Sequence, residues 1–506
     1  MKFEQIILFV VGIIMLIDSG LFYYASMTQY FLFCASAVLL YVIGLTHILR
    51  RTIYHVSFIE LLFFTWFVYL IIRGITTNNE QYKLYYLISC YLLFQGISWL
   101  FEQNRLSILN IKNLFIGLSV IESVICLLQW FSLIESRIPL FKVSGTWESP
   151  NVTAMFIALC IPLLIEKSIQ SCNKYRIMYL TLTCIDVAAL LSINCRTAYI
   201  SSALSIFIIS GIRFGWFRAV RYACVKKTLP IVLFLSLFVT LGCYGLYKMK
   251  QASADGRILI WSTSCSMIME RPIRGYGYGM FEKEYNLYQD NCLKDKENTE
   301  TEHENTSHVF VCYNDFLEQG IEGGIISTIL YLSILLVVMY QGVRQRDYIS
   351  ILVVGSVIWM STVNFVIHAT PLMFTLLVFM AYVTANAKQD SSLSKSGFCI
   401  IALTGVVTSL FCTSSLIDKY NVQRAIRQAT NIRKENFHKA LDILQKQKQS
   451  AGTSECFWRI YGKYLLHIKD YGHAQEALEY ALKYTSNPSV QRDLDRCRQK
   501  LIKNDK

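Results

Sequence analysis

Runs of 15 to 23 predominantly apolar residues recur along this chain, at 6–24, 30–49, 56–72, 84–100, 114–134, 152–166, 177–195, 197–212, 228–247, 319–341, 348–367, 370–387 and 397–417. Lipid offers no partner for a backbone N–H or C=O, so such runs are restricted to helices that satisfy those groups within themselves. At a rise of about 1.5 Å per residue the longer runs cross a hydrocarbon layer of ~30 Å. Those at 152–166 and 197–212 are the shortest. Of 506 residues 54% are hydrophobic and only 16% charged, too few charges to cover a soluble surface. The expectation is an all-α, polytopic transmembrane helical bundle of about 12–13 spans. The first run lacks a small-residue cleavage site and sits in a train of similar runs, so it reads as a retained helix.

Basic residues set the orientation, because cytoplasmic connections keep an excess of Lys and Arg. With the N-terminus inside, the short inner connections carry seventeen basic residues and the short outer ones five, Arg73, Lys83, Arg137, Lys142 and Arg196. Thirteen spans then divide the chain into N-terminal transmembrane helices (1–247), a large extracytoplasmic loop (248–318), C-terminal transmembrane helices (319–417) and an extracytoplasmic helical tail (418–506). The formal charge of +13 is in large part this topology signal, and no nucleic-acid partner is expected from it.

Most of the sixteen cysteines lie in apolar runs, where Cys is commonly a small buried hydrophobe. No Cys/His cluster has zinc spacing, so no metal and no cofactor is expected. Cys292, Cys312, Cys456 and Cys497 fall in outer segments, where a disulfide is allowed by compartment without being indicated by spacing.

The tail turns abruptly charged. Phe437-His438-Lys439-Ala440 and Tyr471-Gly472-His473-Ala474 stand 34 residues apart, with Leu444 and Leu478 at the same offset. That period, with an aromatic and then a small Ala where helices approach, resembles tetratricopeptide repeats. It suits either a platform for a partner or acceptor, or a packing module covering the loop.

The large loop is where this chain keeps its chemistry-bearing residues. Asp255-Gly256-Arg257 leads through Trp261 into an amphipathic stretch that reads as a helix on the outer membrane face, with Trp261 at headgroup level. Arg257 and Arg274 flank it, and a guanidinium fork grips phosphate oxygens bidentately; pairing with Glu270 or Glu282 is the bland alternative. Gly275, Gly277 and Gly279 read either as an anion nest or as a flexible turn. Arg196 stands at an outer junction of two tightly connected spans, where a charge is costly unless it faces a polar cavity or a phosphate. Ser144-Gly145-Thr146-Trp147-Glu148-Ser149-Pro150-Asn151 reads as an outer loop entering a helix, with polar groups aimed outward.

Gly145 to Asn151, Arg196-Thr197-Ala198, Gly256-Arg257 with Trp261, Pro272 with Gly275-Tyr276-Gly277, and Tyr313-Asn314-Asp315-Phe316-Leu317 running into Glu318-Gln319-Gly320-Ile321 together resemble the O-antigen ligase and polymerase superfamily of bacterial membrane glycosyltransferases. The resemblance covers roughly residues 140–340. It implies metal-independent transfer of a glycan from an undecaprenyl-pyrophosphate carrier to an acceptor hydroxyl, on lipid A core or on protein, at the periplasmic face of the inner membrane. Arg196 and Arg257 would then hold pyrophosphate, with Arg274 as a weaker addition and Asn151 and Asn314 also contacting substrate. Many members carry a histidine next to the Asn of the last motif, where this chain has Tyr313. His308 and Asp315 are the candidate bases, with Glu318 and His303 as substitutes. A repeat-unit polymerase is the alternative within the superfamily, and a lipid-linked glycan flippase or exporter the alternative of another class. A transporter would show internal inverted repeats and broken midplane helices with charges, and only Asp18 and Asp186 read as clear acidic residues within spans.

Overall fold

The fold is described from a computed structural model, for residues 2–16, 21, 22, 24, 26–50, 55–77, 81–215, 251–295, 308–387, 395–432 and 436–504. Its elements are helices: α1 (Phe3–Ile14), α2 (Ser26–Ile48), α3 (Phe58–Ile75), α4 (Gln81–Glu102), α5 (Ile108–Trp130), α6 (Pro150–Gln170), α7 (Asn173–Ile193), α8 (Arg196–Arg213), α9 (Gln251–Glu270), α10 (Phe281–Asp295), α11 (Asp315–Gln345), α12 (Tyr348–Val363), α13 (Thr370–Ala387), α14 (Lys395–Thr430), α15 (Phe437–Gln445), α16 (Glu455–His467), α17 (Tyr471–Ala481) and α18 (Pro488–Asn504). Nine helices among the described residues, α2 to α7, α11, α13 and α14, are long and apolar enough to cross a membrane, so the chain is a multi-pass membrane protein. Four of the thirteen apolar runs of the sequence are not among the nine. Helices α1 and α12 are apolar but shorter, the serine-bearing α8 is not among the nine, and 228–247 lies outside the described residues.

Helix α4 is buried along nearly its whole length and packs on α2 and α13. Its closest neighbour is α2, because Gly44 and Gly96 face each other: a Cβ on either would stand 2.7 Å from backbone oxygen of the other helix. Small residues at such a crossing let backbones approach and gain dispersion contact that lipid cannot supply. Carboxylates within the spans are more numerous than Asp18 and Asp186. Glu60 closes a capping box with Ser57 at the start of α3, and Glu122 of α5 accepts the Thr146 N–H at 3.1 Å. With Gln129 accepting the Ser144 and Gly145 amides at 3.0 and 2.8 Å, the loop before α6 is pinned inward, with Ser144 and Trp147 buried rather than turned outward. Asp18 lies outside the described residues.

The last span runs into the tail without a break, since α14 continues through residue 418. The tail then builds its own core from the end of α14 (Val422, Ile426 and Ala429) and from α15 to α18. Ala440 and Ala474, Leu444 and Leu478 hold equal places in α15 and α17, and all four are fully buried. It also packs on the loop: Thr485 Oγ1 donates to Glu282 Oε1 of α10 at 3.0 Å, and Lys283 Nζ to the Lys483 carbonyl at 2.9 Å.

Glu282 also meets His308 Nε2 at 3.1 Å. Burial raises its carboxyl, but the His308 hydrogen bond and the Lys83 charge outweigh that and hold it below its ordinary value. A depressed carboxyl stabilises the contact at neutral pH and loses that contribution as pH falls through the folded-state value. Amide exchange in α10 and α17, corrected for intrinsic rates, is therefore expected to rise on acidification. Glu282→Gln should remove the pH dependence, and exchange indifferent to both would contradict the docking.

Candidate functional site

Among the described residues, two cavities open at the end of the bundle where α2, α4, α6, α8 and α13 begin, the smaller one polar and the larger one mostly apolar. The first, of about 50 Å³, is lined by Asn151, Asn194, Cys195, Arg196, Thr197, Ser253, Arg257 and Asn364. Its shape follows from local geometry. Asn194 ends α7 in the left-handed region at φ 58°, which an Asn tolerates, and the reversal sets Arg196 as the first residue of α8. Asn151 arrives on the first turn of α6, behind Pro150. From the loop comes Arg257 on α9, whose Nη1 donates to the Val363 carbonyl at the end of α12 at 2.5 Å and whose guanidinium lies 4.8 Å from the centre of the Tyr313 ring. Burial lowers the Arg257 value, yet a guanidinium stays cationic in such a place. Two arginines 61 positions apart in sequence thus share one small polar chamber.

The wall between the cavities is the turn 364–369, and α11 holds it. Asn314 caps α11, accepting the Leu317 N–H at 3.1 Å and donating to the Thr362 carbonyl at 3.0 Å. Asp315 is buried, and its Oδ2 accepts from Ser361 Oγ at 2.7 Å, the Val366 N–H at 3.0 Å and the Ile367 N–H at 3.3 Å. Asn314 thus faces the last turn of α12 and Asp315 the turn 364–369, and neither lines the arginine cavity. Tyr313, at φ 54°, sends the chain into that cap.

Helix α11 is broken at Gly324 (φ 70°, ψ −174°). The glycine-rich loop docks on the break through backbone: Tyr276 N–H to the Ile321 carbonyl at 2.7 Å, Gly277 N–H to the Glu322 carbonyl at 2.9 Å, and Ile325 N–H to the Pro272 carbonyl at 2.8 Å. A Cβ on Gly275 would stand 2.4 Å from the Ile321 oxygen, and one on Gly324 2.1 Å from the Ile273 oxygen. These glycines are there for close approach, and the amides of an anion nest at Tyr276 and Gly277 are spent on α11.

The second cavity, of about 240 Å³, is lined by Ser26, Met27, Tyr30, Tyr82, Lys83, Tyr86, Tyr278, Glu322, Ile367, His368 and Thr370. His368 Nε2 pairs with Glu318 Oε1 at 2.5 Å, and Glu318 also accepts the Cys312 N–H at 3.1 Å. Burial opposes the charged imidazolium, but the Glu318 carboxylate and its hydrogen bond hold His368 above its ordinary value. Asn364 lines one cavity and His368 the other, four residues apart, so their backbones are within ~14 Å even at full extension.

His308 and Arg274 line neither cavity. His308 sits on Glu282, with its ring edge-on to Phe310 at 4.7 Å, where the tail meets α10. Arg274 stands exposed, near enough to Tyr69 to act on it electrostatically. Glu270 accepts from Tyr276 Oη at 3.1 Å, and no ion pair joins it to Arg257 or Arg274 among the described residues. Trp261 donates its Nε1–H to the Cys312 carbonyl at 3.1 Å, and α9 packs on α11. His303 lies outside the described residues. Lys83, Glu322, Asn364 and His368 were not anticipated. One signal was present: Asp315, Glu318 and Glu322, at i, i+3 and i+7, put three carboxylates on one face of an apolar helix.

Residues 180–332 match the family model described as O-antigen ligase. The match contains Arg196, Arg257, Glu318 and Glu322, and stops short of His368 and of the tail. No curated protein matches the chain.

Proposed function

We propose that this chain transfers a glycan from a lipid-pyrophosphate carrier of the undecaprenyl type to an acceptor hydroxyl at the outer face of the bacterial inner membrane. The observation that carries this reading is the meeting of Arg196 and Arg257 in one polar cavity at a common end of the bundle, within the stretch that matches the O-antigen ligase family. Pyrophosphate is a good leaving group, so the enzyme's work is to neutralise the charge that develops on it and to accept one proton from the acceptor. Two guanidinium groups do the first, and the amide of Asn151 supplies a neutral donor beside them, while Asn364 Nδ2 donates to Thr197 Oγ1 at 3.1 Å. Repeat-unit polymerisation uses the same donor chemistry and differs in the acceptor. The large loop and the tail are placed in the periplasm on the strength of the basic-residue bias alone. The tail, whose repeat resemblance rests on the 34-residue spacing, is proposed to position an acceptor or a protein partner.

The test is a lipid competition. Undecaprenyl pyrophosphate should displace a labelled carrier-linked glycan from the purified chain at far lower concentration than undecaprenol of the same length. Equal competition by the two lipids would mean that pyrophosphate is not what the cavity holds.

A further inference from the structure

We propose that the cavity lined by Tyr30, Tyr82, Lys83, Tyr278 and His368 is the acceptor site, that it takes the terminal sugar of a glycan, and that His368 Nδ1 accepts the proton of the attacking hydroxyl. This rests on the reading of the arginine cavity as the donor site.

Four observations lead there. His368 lines the cavity with its side chain 28% exposed, so part of the ring is accessible. Its Nε2 is taken by Glu318, which is 3% exposed and anchored by the Cys312 amide. With Nε2–H donated to an ionised carboxylate, Nδ1 is the ring nitrogen that can accept a proton, and no hydrogen bond occupies it among the described residues. Second, the turn that carries His368 also carries Asn364 into the arginine cavity, so donor and acceptor sites are adjoining faces of one short wall. Third, about 240 Å³ is below the ~300 Å³ at which drug-sized ligands begin to fit, which suits one sugar ring. Fourth, four tyrosines, Tyr30, Tyr82, Tyr86 and Tyr278, give it aromatic faces suited to the apolar C–H faces of a sugar, while the hydroxyls of Tyr30 and Tyr278 donate to the Tyr82 and Lys83 carbonyls at 2.8 and 3.4 Å and Tyr82 Oη accepts from Gln423 Nε2 at 3.2 Å.

The acceptor oxygen forms the new bond to the anomeric carbon while its proton passes to His368 Nδ1. The bond from that carbon to the pyrophosphate oxygen breaks, and its electron pair leaves with the lipid pyrophosphate beside Arg196 and Arg257. The imidazolium, stabilised by Glu318, then returns its proton to water. Glu318 acts through His368 and is a positioning residue.

The full-length chain in nanodiscs, given an undecaprenyl-pyrophosphate-linked oligosaccharide and either a short glycan or a Ser/Thr peptide as acceptor, tests this. His368→Gln should cut transfer by ~10²-fold or more, the range for a lost general base, with donor binding unchanged. The groups facing His368 are Glu318, Glu322 and Asp315 of α11, Lys83 of α4 and Tyr278 of the loop. Transfer by the native chain should therefore rise with pH through one ionisation, and Glu318→Gln, which removes the anion holding His368 up, should move that ionisation to lower pH. If His368→Gln does not accumulate, Lys83→Met on the same cavity should raise the KM for the glycan acceptor at least tenfold with donor binding intact. Full transfer by His368→Gln, an unmoved pH limb, an unchanged KM in Lys83→Met or preference for the peptide overturns the proposal. Loss of donor binding in none of the arginine variants instead overturns the donor reading on which it rests.

Discussion

Arg257→Lys and Arg196→Lys should each lower glycan transfer a hundredfold or more while the protein inserts and accumulates normally. Lysine keeps the charge but presents a single ammonium in place of a planar fork, so bidentate contact with phosphate is lost. Removing one pre-organised donor to a developing oxyanion costs ~10²- to 10³-fold in related settings. The larger loss is expected at Arg257, because its placement is fixed from two sides, by the Val363 carbonyl and by the Tyr313 ring, and an ammonium replaces neither contact well. Transfer and lipid-pyrophosphate affinity should fall together. Wild-type transfer by both variants at equal protein level would remove these arginines from donor binding.

Asp315→Ala should disable both cavities at once. The carboxylate receives one hydroxyl and two backbone amides of the turn between α12 and α13. Truncation strands those buried donors, a loss of roughly 3 kcal/mol or more. The cost falls on the turn that carries Asn364 and His368, so donor affinity and acceptor turnover should drop together, with a lower unfolding temperature in detergent. A variant of unchanged melting temperature that loses only turnover would instead return Asp315 to the role of base.

The contrast between these two cases shows what a sequence carries. Arg196 and Arg257 stand out as candidates in the sequence because a guanidinium at an outer span junction or beside a membrane-surface helix has few inexpensive structural roles. Their meeting depends on tertiary packing of α8 against α6 and of the loop against the ends of α12, which no local pattern encodes. His308 drew attention by lying in the polar loop, yet its Nε2 is engaged by Glu282 near the docked tail. His368 sits in a connection of a few residues between two apolar runs, where a lone histidine has no motif around it. Its partner Glu318 lies 50 positions earlier, and only the fold joins them. The glycine-rich stretch misled in a different way. Positive φ at Gly275, Gly277 and Gly279 is compatible with an anion nest, but the broken helix α11 takes the Tyr276 and Gly277 amides instead. Span count was legible to the extent that hydropathy sets helix length, and less so where a helix such as α8 carries serines on its buried face.

The most direct measurement is made on the purified, full-length chain reconstituted in lipid vesicles with an undecaprenyl-pyrophosphate-linked glycan and a glycan acceptor. Free undecaprenyl pyrophosphate and glycosylated acceptor should appear in equal amounts, and both should stop when Arg257 is replaced by lysine. Movement of the intact lipid-linked glycan across the bilayer, with its bond to pyrophosphate unbroken and no acceptor modified, would contradict the account and make the chain a transporter.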